Sequence, residues 1–510
     1  MKSLTHLFFT TCLLVLMCNT LNAQQTYKDI APILINNCTP CHHNGGIAFS
    51  LSQYSQVVAN NLAIKYDLLS NHMPPWPADP NYKHYVKERV ISMADKNAII
   101  SWINNGMQAG DTTLAPALPN YGTAQLNGTP DLIINVPKFT SSATNLDHYY
   151  CLNVPSGLLQ DRYIRAFEFI PGNAALIHHA VITVDTQGTA TNDLSGSCYN
   201  FQGQINLGDY APGMGPTVLP SVAPAKFGFR LKANATLSFQ IHVPEGTVGE
   251  KDSSQLRIYF YPVGTTGIRD MYFQTVLQNW NFSVPANGTR TVSQTYPTGS
   301  AGLPIPVSLY GAFPHSHKTC TSILNYAYKG TDTLPLISIP KWDFHWQGQY
   351  IFKSMVKVPA TYRLYAKHFY DNTVNNPDTP DPNSVVYAGT STTNEMFFDS
   401  YLYSYYQTGD ELINIDSLLS NDPLLASTRV PTLSHAASSI AIIPNPNHGI
   451  FEIACDQQDI QVKVYNTYGV LVANSTESKI DLSNYANGIY FVLVYSSAQQ
   501  FIGSARMIKE

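Results

Sequence analysis

Apolar positions along the chain follow three successive patterns. At the N-terminus, Leu7–Met17 is an apolar run broken only by two Thr, behind Lys2, and Leu21-Asn22-Ala23 closes it on a small residue. A charged start, a short apolar stretch and a small final residue predict a secretory signal peptide over residues 1–23. The run is too short for a membrane span, which takes about 20 apolar residues. Next, Ile30, Ile33 and Leu34, and later Ala98, Ile99, Trp102 and Ile103, recur at helical spacing. Ser92 three residues ahead of Asp95 resembles a capping box before the second helix, and Gly106 marks its end. From about Pro130 to Tyr406 the pattern changes to short alternating stretches punctuated by Gly and Pro, which predicts strands. In Leu237–Val243, Leu237, Phe239 and Ile241 share one face, while Ser238, Gln240 and His242 share the other. Short alternating strands such as Gln461–Tyr465, separated by Gly and Asn turns, return near the C-terminus.

A chain of 510 residues holds three or four domains at roughly 100–200 residues each. Charged residues make up 12% of it, half the usual share of about 25%. Low charge with 31 Gly, 33 Pro and 32 Tyr fits β-sandwiches better than helical bundles. The expected class is therefore multidomain and mainly β, with a small α-helical domain at the N-terminus and an Ig-like β-sandwich at the C-terminus. A net charge of -5 without a basic stripe argues against a nucleic-acid binder, and 44% hydrophobic residues argue against disorder. Removal of the signal leaves Cys38, Cys41, Cys151, Cys198, Cys320 and Cys455. Export permits disulfides, and Cys151 with Cys198, each beside a Tyr, is the best pair.

Cys38-Thr39-Pro40-Cys41-His42 is the C-x-x-C-H pattern of haem c attachment. The thiols would form thioethers to the haem and His42 would bind the iron. Met73, in Asn71-His72-Met73-Pro74-Pro75-Trp76, is the expected second axial ligand, with His72 as its rival. A zinc pair or a disulfide is the alternative use of the two cysteines. The segment from about Tyr27 to Gly110 resembles small class I cytochromes c, giving an expected domain over residues 24–115.

Five histidines carry the chemistry of the central region: His178-His179, His242, and His315 and His317 in a His-x-His pair. His-x-His on a strand puts both imidazoles on one face. Adjacent His178 and His179 reach one metal only at a bulge or a strand end. Imidazoles suit zinc, copper, iron or nickel alike. The order His-His, Gln-x-His, His-x-His, Asn394-Glu395-Met396 resembles the copper type II, ascorbate-dependent monooxygenases, the family of peptidylglycine and dopamine hydroxylating enzymes. The resemblance extends to Pro171-Gly172-Asn173, Asp343-Phe344-His345-Trp346-Gln347, Tyr370-Asp371-Asn372, Asn376-Pro377-Asp378 and Asp381-Pro382. It implies two copper ions. His178, His179 and His242 would hold the electron-transfer copper, and His315, His317 and Met396 the copper that meets O₂. It also implies two consecutive jelly-roll-like β-sandwiches, over residues 129–263 and 264–410, with a boundary at Pro262-Val263-Gly264. Lys318-Thr319-Cys320 departs from the family, which leaves Cys320 as a free thiol or half of a disulfide.

After an expected linker over residues 411–435, the segment 436–510 contains Ile443-Pro444-Asn445-Pro446-Asn447-His448-Gly449, Asn487-Gly488-Ile489-Tyr490-Phe491 and Met507-Ile508-Lys509. It resembles the C-terminal sorting domain of type IX secretion substrates. The expected protein is secreted or held at the outer cell surface, with no membrane span. Its expected activity is hydroxylation of a C–H bond in a small-molecule or peptide substrate, with O₂. Electrons would come from an ascorbate-like reductant or a redox protein, passing through one covalently bound haem c. A non-catalytic electron-transfer or copper-binding haem protein is the alternative, and an adhesin with a remnant sandwich a third reading.

Overall fold

The computed structural model describes residues 25–425 and 440–510, apart from residues 47, 120, 122–124, 213, 456–458, 467–470 and 498–500. The expected signal peptide lies outside the described residues. The chain divides into two compact units between Ala426 and Ser427. Strand outweighs helix, 41% to 11%.

Four helices, Tyr27–Asn37, Tyr54–Ala59, Asn61–Leu69 and Met93–Asn104, enclose a small core that includes Ile30, Leu34, Val57, Leu68, Ile99 and Trp102. Ser92 Oγ caps the last helix by accepting from Asp95 N at 3.0 Å. At its other end Gly106 takes φ +84° and Met107 N bonds Trp102 O at 3.0 Å, a left-handed stop that favours glycine. Residues 24–115 are nevertheless not self-contained. Ala78 and Tyr85 belong to a second core farther along the chain. Asp79 N bonds Ser338 O at 2.8 Å, Val86 N bonds Ile351 O at 2.7 Å, and Tyr85 Oη donates to Leu336 O at 2.8 Å. Tyr85 packs against Tyr350 and Phe352.

The central region holds two separate cores joined by one sheet. Nine strands run in the order Tyr350–Val358, Val307–His315, Phe398–Tyr405, Tyr272–Gln278, Ile205–Tyr210, His179–Asp185, Thr236–Val243, His148–Pro155 and Asp193–Gly196. The first core lies between the later strands of this order and a six-stranded sheet built around Arg162–Ile170 and Gln255–Phe260. The second core adds the four strands Thr289–Tyr296, Arg363–Asp371, Cys320–Lys329 and Asp332–Ile339. The join is Phe273 opposite Asn206. Ile268–Asp270 still pairs in parallel with Lys226–Leu231 of the first half. Met271, Phe273, Tyr310 and Phe313 also pack into the first core, so the two halves interlock beyond the Pro262-Val263-Gly264 punctuation. Cys151 and Cys198 form the expected disulfide, with Cα atoms 5.9 Å apart.

The expected linker is also shorter than its composition implies. Ile415–Ser420 is a helix capped by Asn414 Oδ1, and Ile413, Ile415, Leu419 and Leu424 pack into the first core. Apolar side chains spaced along 413–424 have a hydrophobic surface to cover, which the Ser/Leu composition alone did not reveal.

The second unit has a sheet of Ala441–Ile443, Ile450–Ala454 and Lys479–Asp481, and one of Leu471–Ser475, Ile460–Asn466, Gly488–Ser496 and Phe501–Lys509. Both contribute to one core around Phe451, Val462, Val492 and Met507. Asn447 N bonds Ile508 O and Asn447 Oδ1 accepts from Gly449 N at 2.7 Å. Gly449, at φ +109°, passes so close to the Ser483 backbone that a Cβ would clash. These contacts explain the Asn-His-Gly motif and the terminal Met-Ile-Lys.

Ile415→Ala should cost about 2–5 kcal/mol of stability, measured by urea unfolding, because it empties a fully buried site. A linker residue at this position would change nothing.

Candidate metal centre

His242 and His179 lie directly opposite each other on neighbouring strands, and residues so paired share a face. That face is the polar one of the Leu237–Val243 alternation. The strand His179–Asp185 begins at His179, so His178 is freed from the pleat and turns to the same side; its N–H bonds His242 O at 3.1 Å. The three imidazoles converge, with ligand atoms all within 4.8 Å of one another. His179 Nδ1 lies 3.1 Å from His242 Nδ1 and 3.4 Å from His178 Nδ1. Two bonds of about 2.0 Å at a tetrahedral angle place their nitrogens roughly 3.3 Å apart. The cluster therefore has the dimensions of a ligand set. Burial pushes the His178 pKa down to about 3 and that of His179 well below its usual value, so both stay neutral and able to bind a metal. On the far side, His242 Nε2 lies 3.2 Å from Asp147 Oδ2, and Tyr149 stacks on the His242 ring at 4.5 Å. Burial raises the Asp147 pKa, but bonds from His242 and Thr392 outweigh it and hold the carboxylate ionised.

His315 ends its strand and His317 lies two residues beyond it, so the pair is set by a loop and not by strand alternation alone. Glu395 builds that loop. Its fully buried carboxylate accepts from the N–H groups of His317, Thr319 and Met396 and from the Thr319 hydroxyl. Ser316 Oγ and Tyr370 Oη both donate to Met396 O, at 2.6 and 2.9 Å, which ties residue 396 to the His-x-His turn. The imidazole centroids are 5.2 Å apart. His315 Nδ1 meets Gln347 Oε1 at 2.7 Å and His317 Nδ1 meets Asn394 O at 3.2 Å, so each Nε2 is left to a metal. Met396 is buried, yet belongs to neither core, unlike Phe397. Asn376 Nδ2 donates to Lys318 O at 3.1 Å, which accounts for the Asn-Pro-Asp segment. Cys320 is buried and in no disulfide.

Two loops tie the groups together. Thr390 O accepts from Tyr149 Oη at 3.1 Å and Thr392 bonds Asp147, while Asn394, Glu395 and Met396 serve the second pair. The Phe344 ring stacks on His178 at 5.4 Å and meets His317 edge-on at 5.9 Å. Asp209 lies on the same sheet face as His179, opposite Val181. Its Oδ1 is buried without a hydrogen-bond partner, and burial pushes its pKa up to about 7.

Cys38-Thr39-Pro40-Cys41-His42 forms a turn in which His42 N bonds Cys38 O at 2.9 Å. His42 Nδ1 meets Phe49 O at 2.9 Å, leaving Nε2 free for an axial bond. Phe49, Leu62, Tyr66 and Leu69 are exposed apolar side chains, the last three on one helix face. His72 has both nitrogens beside carboxylates, Asp67 at 3.2 Å and Asp343 at 3.8 Å, which leaves Met73 the better axial candidate. The sequence reading missed Asp147 and Asp209, for which it holds no signal. Glu395 stood inside the quoted Asn394-Glu395-Met396 motif, but its bonds to the His317 turn come from residues 76 to 79 positions away in sequence.

A family described as a secretion system C-terminal sorting domain matches residues 441–509. This unit directs the chain to the cell surface or the outside, through the type IX machinery. Among described residues no helix is long and apolar enough to cross a membrane. No curated protein matches the chain. PorZ, described as an essential surface component of the type-IX secretion system of Porphyromonas gingivalis, is 20% identical over 21% of this chain and 14% of its own, with TM-score 0.13. A biofilm associated protein BSP domain is 10% identical over 76% of this chain and 82% of its own, with TM-score 0.15.

Glu395→Gln should cost about 1–3 kcal/mol, because an amide NH₂ then faces buried donors. It should also loosen the His315/His317 pair while sparing the His178 cluster, read by urea unfolding and metal content. Asp147→Ala should weaken metal binding at His242 by about 10–100-fold in chelator competition. Asp209→Asn should raise the melting temperature most at pH 8, less at pH 5, and hardly at all below about pH 4. The folded carboxyl titrates at about 7 while the unfolded one keeps its ordinary value, so the penalty grows from the unfolded pKa upward and is complete once pH passes the folded pKa.

Proposed function

We propose that the protein is a secreted copper-dependent monooxygenase that hydroxylates a C–H bond with O₂, drawing electrons through a c-type haem carried on its own N-terminal segment. The observation that supports this most is the matched donor geometry. Three Nδ1 atoms converge at one site, and beyond the Phe344 ring two imidazoles have Nδ1 engaged and Nε2 free. When bound, two copper ions would supply one-electron chemistry toward O₂ and the substrate, and haem c would supply electrons.

His178, His179 and His242 would hold the first copper, with Asp147 fixing the orientation of His242. His315, His317 and Met396 would hold the second, where a soft thioether favours the reduced ion. Gln347 and Asn394 orient the second pair of rings, and the Glu395 carboxylate keeps the turn that carries them dry and closed. Cys38 and Cys41 would attach the haem, His42 and Met73 would ligate its iron, and Phe49 O would hold the His42 tautomer. In this reading the two central halves are jelly-roll-like β-sandwiches that share a sheet, and the C-terminal unit is an Ig-like sandwich. The substrate is a small molecule or a peptide.

One observation favours a second reading, a non-catalytic electron-transfer or copper-binding haem protein: the Phe344 ring fills space between His178 and His317.

Metal analysis of the mature protein should give one haem and two coppers per chain, with one copper lost in His315→Ala. Loaded protein with reductant should consume O₂ in a way that Met396→Ile abolishes. Copper and haem without that dependence would favour the electron carrier; haem without copper would reject the monooxygenase.

A further inference from the structure

One short loop, Trp342–Gln347, contacts His72, His178, His315 and His317. Trp342 Nε1 donates to His317 O at 3.2 Å. Phe344, 6% exposed, packs its ring against both His178 and His317. Gln347 accepts from His315 through Oε1 and donates through Nε2 to Phe344 O at 2.9 Å, so the residue that orients His315 also fixes the Phe344 backbone. Asp343 Oδ2 lies 3.8 Å from His72 Nε2, beside Met73. Three residues beyond Met73, Trp76 packs on Tyr350 at 5.3 Å. The Lys318 ammonium lies over the outer side of the Phe344 ring at 5.8 Å. A single stretch, Trp342–Gln347, thus contacts the segment expected to ligate haem and both imidazole groups.

Electron tunnelling falls off less steeply through packed atoms than across an open gap, so a ring in contact with ligands of two redox centres shortens the effective distance between them. We infer that the Trp342–Gln347 loop is the electron junction of this protein, with Phe344 as the positioning residue that bridges the His178 and His317 imidazoles and Asp343 docking the haem loop beside it. The inference rests on the proposed haem and copper ligand sets. Each transfer moves one electron: the ferrous haem is oxidised to ferric and one cupric ion is reduced to cuprous. No bond forms and no proton moves, and an external one-electron reductant restores the ferrous haem.

The test uses full-length protein with haem attached and copper loaded, checked first by elemental analysis and by the cupric EPR spectrum. Rapid photoreduction of the haem in the absence of O₂ should be followed by decay of the ferrous absorbance, matched by loss of cupric EPR signal. Copper-free protein should show no decay. Phe344→Leu should keep its copper content and EPR parameters but slow the decay severalfold, Phe344→Tyr should restore it, and Asp343→Asn should slow it as well. Decay in Phe344→Leu at the unaltered rate would overturn the junction while leaving the ligand sets standing. Copper loss in Phe344→Leu would overturn it too, because the ring would then be a structural prop of the sites. A protein that takes up no copper would overturn the ligand sets and the junction together.

Discussion

The geometry of the second histidine pair depends on one buried carboxylate. Glu395 is fully buried, and burial pushes its pKa up, so it is stable there only because donors surround it. Those donors are the backbone N–H groups of the turn that carries His317 and of Met396 itself. Removing a charge-accepting group from such a pocket leaves several buried donors unpaired at once, each costing about 1–3 kcal/mol. The carboxylate and the turn therefore specify each other. Asp399 performs a parallel task one layer deeper. It takes His315 N, His368 Nε2 and Asn325 Nδ2, and His368 stacks on Phe397 at 4.0 Å. The pair rests on a polar network that is almost entirely closed to water.

The shared nine-stranded sheet sets the distance between the two groups of histidines. His179 and His242 lie on central strands of one half, and His315 at the end of a strand of the other. Because those strands belong to one hydrogen-bonded surface, the halves cannot swing apart without breaking the join at Phe273 and Asn206. Arg269 adds a second fastening, bonding Asp410 at 2.6 Å from a strand that belongs to the first half. The loops 390–396 and 342–347 each contact both groups of histidines or the residues that hold them. The C-terminal unit adds the address that directs the chain to the cell surface or the outside.

Part of this was legible in the residues alone. The alternation in Leu237–Val243 placed His242 on the polar face, the spacing of Ile99, Trp102 and Ile103 gave the capped helix, and Cys151 with Cys198 gave the disulfide, because each depends on local periodicity or on a reactive side chain. The C-terminal motif residues likewise identified their unit, since Gly449 and Asn447 serve contacts that admit few substitutes. Only the tertiary structure decided where the halves meet, which carboxylates hold the histidines, and that residues 413–424 and Tyr85 belong to cores distant in sequence. Asp147, Glu395 and Phe344 act through partners far away along the chain, and a carboxylate or a ring takes its role from the surface folded against it, which no local pattern records.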